Sequence, residues 1–226
     1  YTWFDVKPKP MKGKAMKVFV AGASGRVGNA VVSDLVKAGY EVVAGSRHPE
    51  GITETDGKVR KVVLDFHNPL GQIKPLLEGS DAVIFTAGSR GKDLLQTDLN
   101  GAVKIMEAAR QLGIKRYIQL SSAYATDQNM WVKVPSLAFI TDYNIAKYFS
   151  DMWLINDSGL DYTIVQPGPI TDDPGTGKVT IGETGSNTYE DVAAVLVSSL
   201  RHDNTVGKTF LMSNGQTPVD EAVSEA

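Results

Sequence analysis

The chain has 226 residues, 42% of them hydrophobic and 22% charged, which suits one globular domain with a sizeable core. A formal net charge of −3 argues against a nucleic-acid partner, which calls for a basic surplus. The absence of cysteine excludes disulfides, thiolate metal sites and cysteine nucleophiles together and agrees with a cytoplasmic setting, and no apolar run is long enough to span a membrane.

Residues 1–15 mix aromatics with Lys7, Pro8, Lys9, Pro10, Lys12 and Lys14, without the apolar core of a signal peptide. They read as a leader or expression remnant ahead of Met16 rather than as a basic arm. Residues 16–226 read as a single domain with no linker and no internal repeat. Apolar strands and helical segments alternate through it, the pattern of an α/β doubly wound parallel sheet, a Rossmann fold.

A strand is predicted over 17–21, then a helix over 27–38 that stops at Gly39. Strands follow over 41–45 and 59–64, and a short helical piece over 73–77. A strand over 81–86 leads into a long helix over 93–112. A strand over 117–120, a helix over 143–156 and a strand over 162–166 come next. A helix over 190–201 and a last strand over 208–212 close the chain. Residues 172–177 read as loop, and 170–226 as a small substrate region. In such a sheet, ligands bind at the carboxyl ends of the strands, where the strand order reverses.

The chemistry-bearing residues fall at that edge. Gly22, Ser24, Gly25, Arg26, Val27 and Gly28 form a glycine-rich turn between the first strand and helix. Gly22 permits a sharp turn, Gly25 lets backbone approach a pyrophosphate, and Gly28 lets the helix pack on the sheet. No carboxylate follows the second strand to hold ribose hydroxyls. Arg47 stands there instead, and Arg26 lies in the turn. Together they predict NADP(H) in preference to NAD(H), although either alone is an ordinary surface arginine. Asp65 and Phe66 follow the third strand and flank the adenine if they are not merely a turn. Ala87 and Gly88 follow the fourth and let the cofactor cross the sheet if they are not merely a loop.

Ser122 follows the fifth strand, and Tyr143 and Lys147 open the next helix four residues apart, on one face. An ammonium beside a phenol favours the phenolate, which suits the tyrosine to acid–base work on a substrate oxygen. Ser122 can hydrogen-bond the same oxygen, and Lys147 can also hold the nicotinamide ribose. By itself a Tyr-x-x-x-Lys pair is a common helix face. His48, His67 and His202 lack metal-ligand spacing, so no metal site is expected. Trp131 and Phe139 either line a substrate pocket or cover the core.

With these motifs the chain resembles the short-chain dehydrogenase/reductase superfamily. More narrowly it is similar to the atypical or extended branch of small NAD(P)-binding, sugar-epimerase-like proteins. The matching pieces are residues 21–28, 87–89, 98–102, 120–123, 143–147 and 166–170. The resemblance implies Ser122, Tyr143 and Lys147 as the catalytic set, with Pro167 and Gly168 bordering the nicotinamide. Asp98 stands where the family often has asparagine, and the part after Ile170 is short for a nucleotide-sugar. The leading expectation is an NADP-dependent oxidoreductase acting on a small carbonyl or alcohol. An epimerase of a (nucleotide-)sugar, a non-catalytic NADP(H)-binding redox sensor, and a flavin or quinone reductase that needs no tyrosine are the alternatives. The expected partner is a small-molecule substrate, with no nucleic acid and no membrane. A homodimer through the helices after the fourth and fifth strands accords with the family.

Overall fold

Lys17–Ala21 forms β1, an inner strand of the sheet, whose apolar residues Val18, Phe19, Val20 and Ala21 are all buried. A computed structural model describes residues 15–54 and 56–226, so the leader reading lies, apart from Ala15, outside the described residues. After β1 come α1 (Arg26–Lys37), β2 (Glu41–Ser46), β3 (Val59–Val63), α2 (Leu70–Ile73), β4 (Ala82–Phe85), α3 (Ala102–Gln111) and β5 (Arg116–Leu120). They are followed by α4 (Gln128–Lys133), α5 (Pro135–Ala138), α6 (Thr141–Asn156), β6 (Asp161–Pro167), β7 (Ile170–Thr171), β8 (Lys178–Ile181) and β9 (Asn187–Thr188). The chain ends with α7 (Tyr189–Ser199), β10 (Lys208–Asn214), β11 (Thr217–Pro218) and α8 (Val219–Ser224).

The main sheet has nine strands in the order β11-β8-β10-β6-β5-β4-β1-β2-β3. From β3 to β10 all neighbours are parallel, whereas β8 runs antiparallel to β10 and β11. The inner strands are almost wholly apolar because helices cover both faces. Val18 and Val20 point into the layer of α1 and α7, while Phe19 and Ala21 point into that of α3 and α6. In α1, Val27, Val31, Val32 and Leu35 recur at helical spacing and are buried. That stripe packs on α7, whose sequence lies near the other end of the chain. The strand order reverses at β1, between β2 and β4, which opens the ligand crevice at their carboxyl ends.

The structure corrects the sequence reading at three places. The helix expected over 93–112 is a π-helical stretch, Leu94–Gly101, followed by α3. Residues 170–188, where the sequence predicts no strand, carry β7, β8 and β9; two of these strands have only two residues, too few to show a period. The strand expected to be last continues to Asn214 and is followed by β11 and α8. Much of the segment after Ile170 therefore completes the sheet and its covering helices. The loop reading of 172–177 agrees with the structure.

Candidate functional site

The glycine turn is fixed by contacts that only glycine allows. Gly22 has φ +91°, and a Cβ there would lie 2.6 Å from the backbone of Ala87. A Cβ on Gly28 would lie 2.1 Å from the Gly22 carbonyl oxygen, so α1 starts in direct contact with the turn. The N–H groups of Gly22 and Ala23 donate to the Gly45 carbonyl at 2.9 and 3.0 Å, stitching the turn to the end of β2. Ser24 and Ser46 share a hydroxyl hydrogen bond of 2.5 Å across the same seam.

Gly25 is the exposed N-cap of α1, and no side chain caps the first turn. The first N–H groups of α1, with its positive dipole end, thus remain available to an anion. This cradle fits a dinucleotide pyrophosphate, with Gly22, Gly25, Gly28 and the start of α1 as its walls. Asn29, unnoticed in the sequence, donates to the carbonyls of Ser24 and Gly51 and accepts from Thr53 N–H, which fastens the loop after β2 to α1.

The other predicted residues divide into those left open and those already engaged. Arg47 is exposed at the end of β2 and lies near enough to Asp93 to help lower that carboxyl. The larger causes for Asp93 are the hydroxyl of Thr97 at 2.7 Å and His67 at 2.9 Å. Arg26 instead pairs with Asp172, joining the start of α1 to the loop 172–177, so the two arginines do not converge on one partner. Asp65 closes a turn by accepting from His67 N–H at 3.0 Å. Phe66 is buried against Phe85 and Gly101, which takes its ring away from the surface of the crevice.

Ala87 is buried on Gly22, whereas Gly88 is exposed. Asp98 is fully buried beneath them: Oδ2 accepts from Ser89 N–H at 3.0 Å, and Oδ1 has no partner among the described residues. Pro167 is buried and its carbonyl accepts from Ala123 N–H at 2.8 Å, tying the turn after β6 to the one after β5.

At the end of β5 the two serines have different fates. Ser121 is buried and donates to Asp151 at 2.5 Å. Ser122 is half-buried, and its hydroxyl makes no hydrogen bond among the described residues. Lys147 is only 2% exposed and its Nζ donates to the Leu120 carbonyl at 3.0 Å, at the last residue of β5. Tyr143, one helical turn earlier, is half-buried. Trp131 donates to the Tyr124 carbonyl at 2.9 Å and meets Tyr148 edge-on, while Phe139 is 89% exposed and covers no core. Among the described residues no cluster of His, Asp and Glu could hold a metal ion. A groove of about 690 Å³ runs between α1, α7 and the loop 172–177, lined by Arg26, Asp34, Asp172, Tyr189 and Glu190 among others; neither Ser122, Tyr143 nor Lys147 borders it.

Comparison with known proteins agrees with this geometry. A family described as NAD(P)H-binding matches residues 22–203. The uncharacterized sugar epimerase YhfK of Bacillus subtilis is 34% identical over 220 residues, spanning 93% of this chain and 100% of that protein. The crystal structure of the oxidoreductase ylbE from Lactococcus lactis superposes with a TM-score of 0.89 at 37% identity, covering 93% of this chain and 96% of that one. The photosystem II assembly factor Ycf39 of Synechocystis is 26% identical over 224 residues, covering 86% of this chain and 61% of that protein. Its glycine cradle, its strand order and these relatives agree: the chain belongs to the NAD(P)H-binding family of Rossmann-fold proteins.

Proposed function

We propose that the protein is an NADP-dependent oxidoreductase of the short-chain type, acting on a small carbonyl or alcohol. One observation carries this reading: Lys147 is buried and anchored on the last carbonyl of β5, with Tyr143 one turn before it. A buried lysine is costly, and one helical turn from a phenol it can serve proton transfer. The bound nicotinamide supplies or accepts the hydride. Tyr143 gives a proton to the substrate oxygen in reduction and takes it in oxidation. Lys147 keeps N–H bonds free for a ribose hydroxyl while one holds Leu120. Ser122, whose hydroxyl is uncommitted, donates to the same substrate oxygen. Arg47 meets the 2′-phosphate, with no carboxylate among residues 45–48 to hold ribose hydroxyls in its stead.

The short region after Ile170 supports a small substrate rather than a nucleotide-sugar, because its strands and helices are largely spent on completing the sheet. The decisive measurement is NADPH oxidation, followed by absorbance, with a panel of aldehydes, ketones and quinones and with NADH in parallel. Turnover should favour NADPH and fall at least 100-fold in Tyr143→Phe, while NADPH affinity by fluorescence changes less than about threefold. Full turnover in Tyr143→Phe overturns the role of the tyrosine. A second reading, a non-catalytic NADP(H)-binding regulator, draws on the relative named as an assembly factor. Tight NADPH binding without turnover on any substrate class selects it.

A further inference from the structure

Beneath Ser122, Tyr143 and Lys147 lies a second polar cluster, wholly buried, that this chemistry leaves without a task. Asp151 follows Lys147 by one turn of α6 and Tyr143 by two, and it is 0% exposed. Its Oδ1 accepts from Gln119 Nε2 at 2.7 Å. Its Oδ2 accepts from Ser121 Oγ at 2.5 Å and from Gln166 Nε2 at 3.4 Å. Both glutamine amides donate and the Ser121 hydroxyl can, a set of partners that an ionised carboxylate accepts. Such an anion is costly in the interior unless a cation stands near. Lys147, buried one turn earlier on the same face of α6, is the cation placed for this: burial raises the Asp151 carboxyl, and Lys147 opposes that rise. Lys147 also holds Leu120 while Asp151 holds Ser121, so the pair grips the two residues just before Ser122.

We propose that Asp151 is a positioning residue of this site, the buried counter-charge that keeps Lys147 a fixed ammonium under Tyr143 and, through Ser121, aims Ser122 at the substrate oxygen. The role rests on the oxidoreductase reading, while the coupling of the two charges rests on their burial one turn apart on α6. The other ionisable groups on the elements packed around it are few. Tyr117 faces Asp151 from β5, and burial, then Asp151, pushes its phenol well above the ordinary range. Tyr162 lies lower on β6 and Asp98 on the π-helical stretch. On α3, Lys104 is bound to the Phe66 and Asn68 carbonyls, and Glu107 is paired with Arg110.

The test is a double-mutant cycle in urea unfolding of the whole chain, with Asp151→Asn and Lys147→Met. Each single change strands one buried charge, so the double variant should be more stable than the sum of the two losses allows, and more stable than at least one single variant. Strict additivity overturns the proposal. If Asp151→Asn alone does not fold, recovery in the double variant supports the pair, and failure of both overturns it. A second readout follows the pH dependence of carbonyl reduction. Removing a negative charge makes neighbouring protons easier to lose, so the alkaline limb in Asp151→Asn should move to lower pH by about half a unit or more. A slower enzyme with an unmoved limb reduces Asp151 to a structural residue and overturns the role. If the unaltered protein turns over nothing, the oxidoreductase reading fails, and the unfolding cycle still decides the charge pair.

Discussion

At the scale of single residues, the cofactor cradle depends on missing atoms. Gly28→Ala places a methyl group 2.1 Å from the Gly22 carbonyl, a backbone atom that moves only if the turn opens. We expect a loss of about 2–3 kcal/mol in urea unfolding, as for overpacked cores, and at least tenfold weaker NADPH binding by fluorescence titration. The glycine turn was legible in the sequence because strand, turn and helix are consecutive and each glycine answers a local demand. Tyr143 and Lys147 were legible because helical spacing alone puts them on one face. Asp151 was not. An aspartate within a helix ordinarily reads as exposed, and its partners Gln119, Ser121 and Gln166 come from β5, the turn after it and β6, whose neighbourhood only the sheet creates. The engagement of Arg26 by Asp172 was equally hidden, since the two are 146 residues apart.

At the scale of elements, the loop 172–177 has little regular structure but is well fastened. Thr188 caps α7 by accepting from Asp191 N–H. Asp191, 2% exposed, then accepts from Thr176 N–H at 3.0 Å and Gly177 N–H at 2.6 Å, and Glu190 accepts from Gly175 N–H at 2.6 Å. The first turn of a helix thus serves as an anchor for loop backbone, with its carboxylates at the favourable dipole end. Asp191→Ala leaves those donors without acceptors and should cost on the order of 3 kcal/mol in thermal unfolding. Asp172→Ala, by contrast, removes only an exposed ion pair and should change stability by less than about 1 kcal/mol. It should free Arg26 for the cofactor and tighten NADPH binding relative to NADH, measured by parallel fluorescence titrations. β1, β2, β4 and β6 were legible as apolar runs between turn residues; β7, β9 and β11, each of two residues, were not, because pairing rather than composition defines them.

At the scale of the whole molecule, one surface stands apart. Ile145, Phe149 and Trp153 recur every four residues along α6 and are exposed, and Leu95 on the neighbouring π-helical stretch is 71% exposed. Sedimentation tests the homodimer expected from the family resemblance: a monomer overturns it, and a dimer that Phe149→Lys converts to a folded monomer puts its contact on this stripe. A further consequence concerns the order in which the molecule can be built. The apolar side of α1 finds its cover on α7, yet more than half of the chain lies between them. At ordinary rates of synthesis, on the order of ten seconds separate their emergence from the ribosome. Throughout that interval the first helix has β1 and β2 beside its Val and Leu stripe but not the helix that completes its cover, so newborn chains are at their stickiest before residue 189. A nascent chain cut short there would carry β1 to β6 without the helix that completes the cover of one sheet face, and cellular holding factors would meet it as a sheet open on that side.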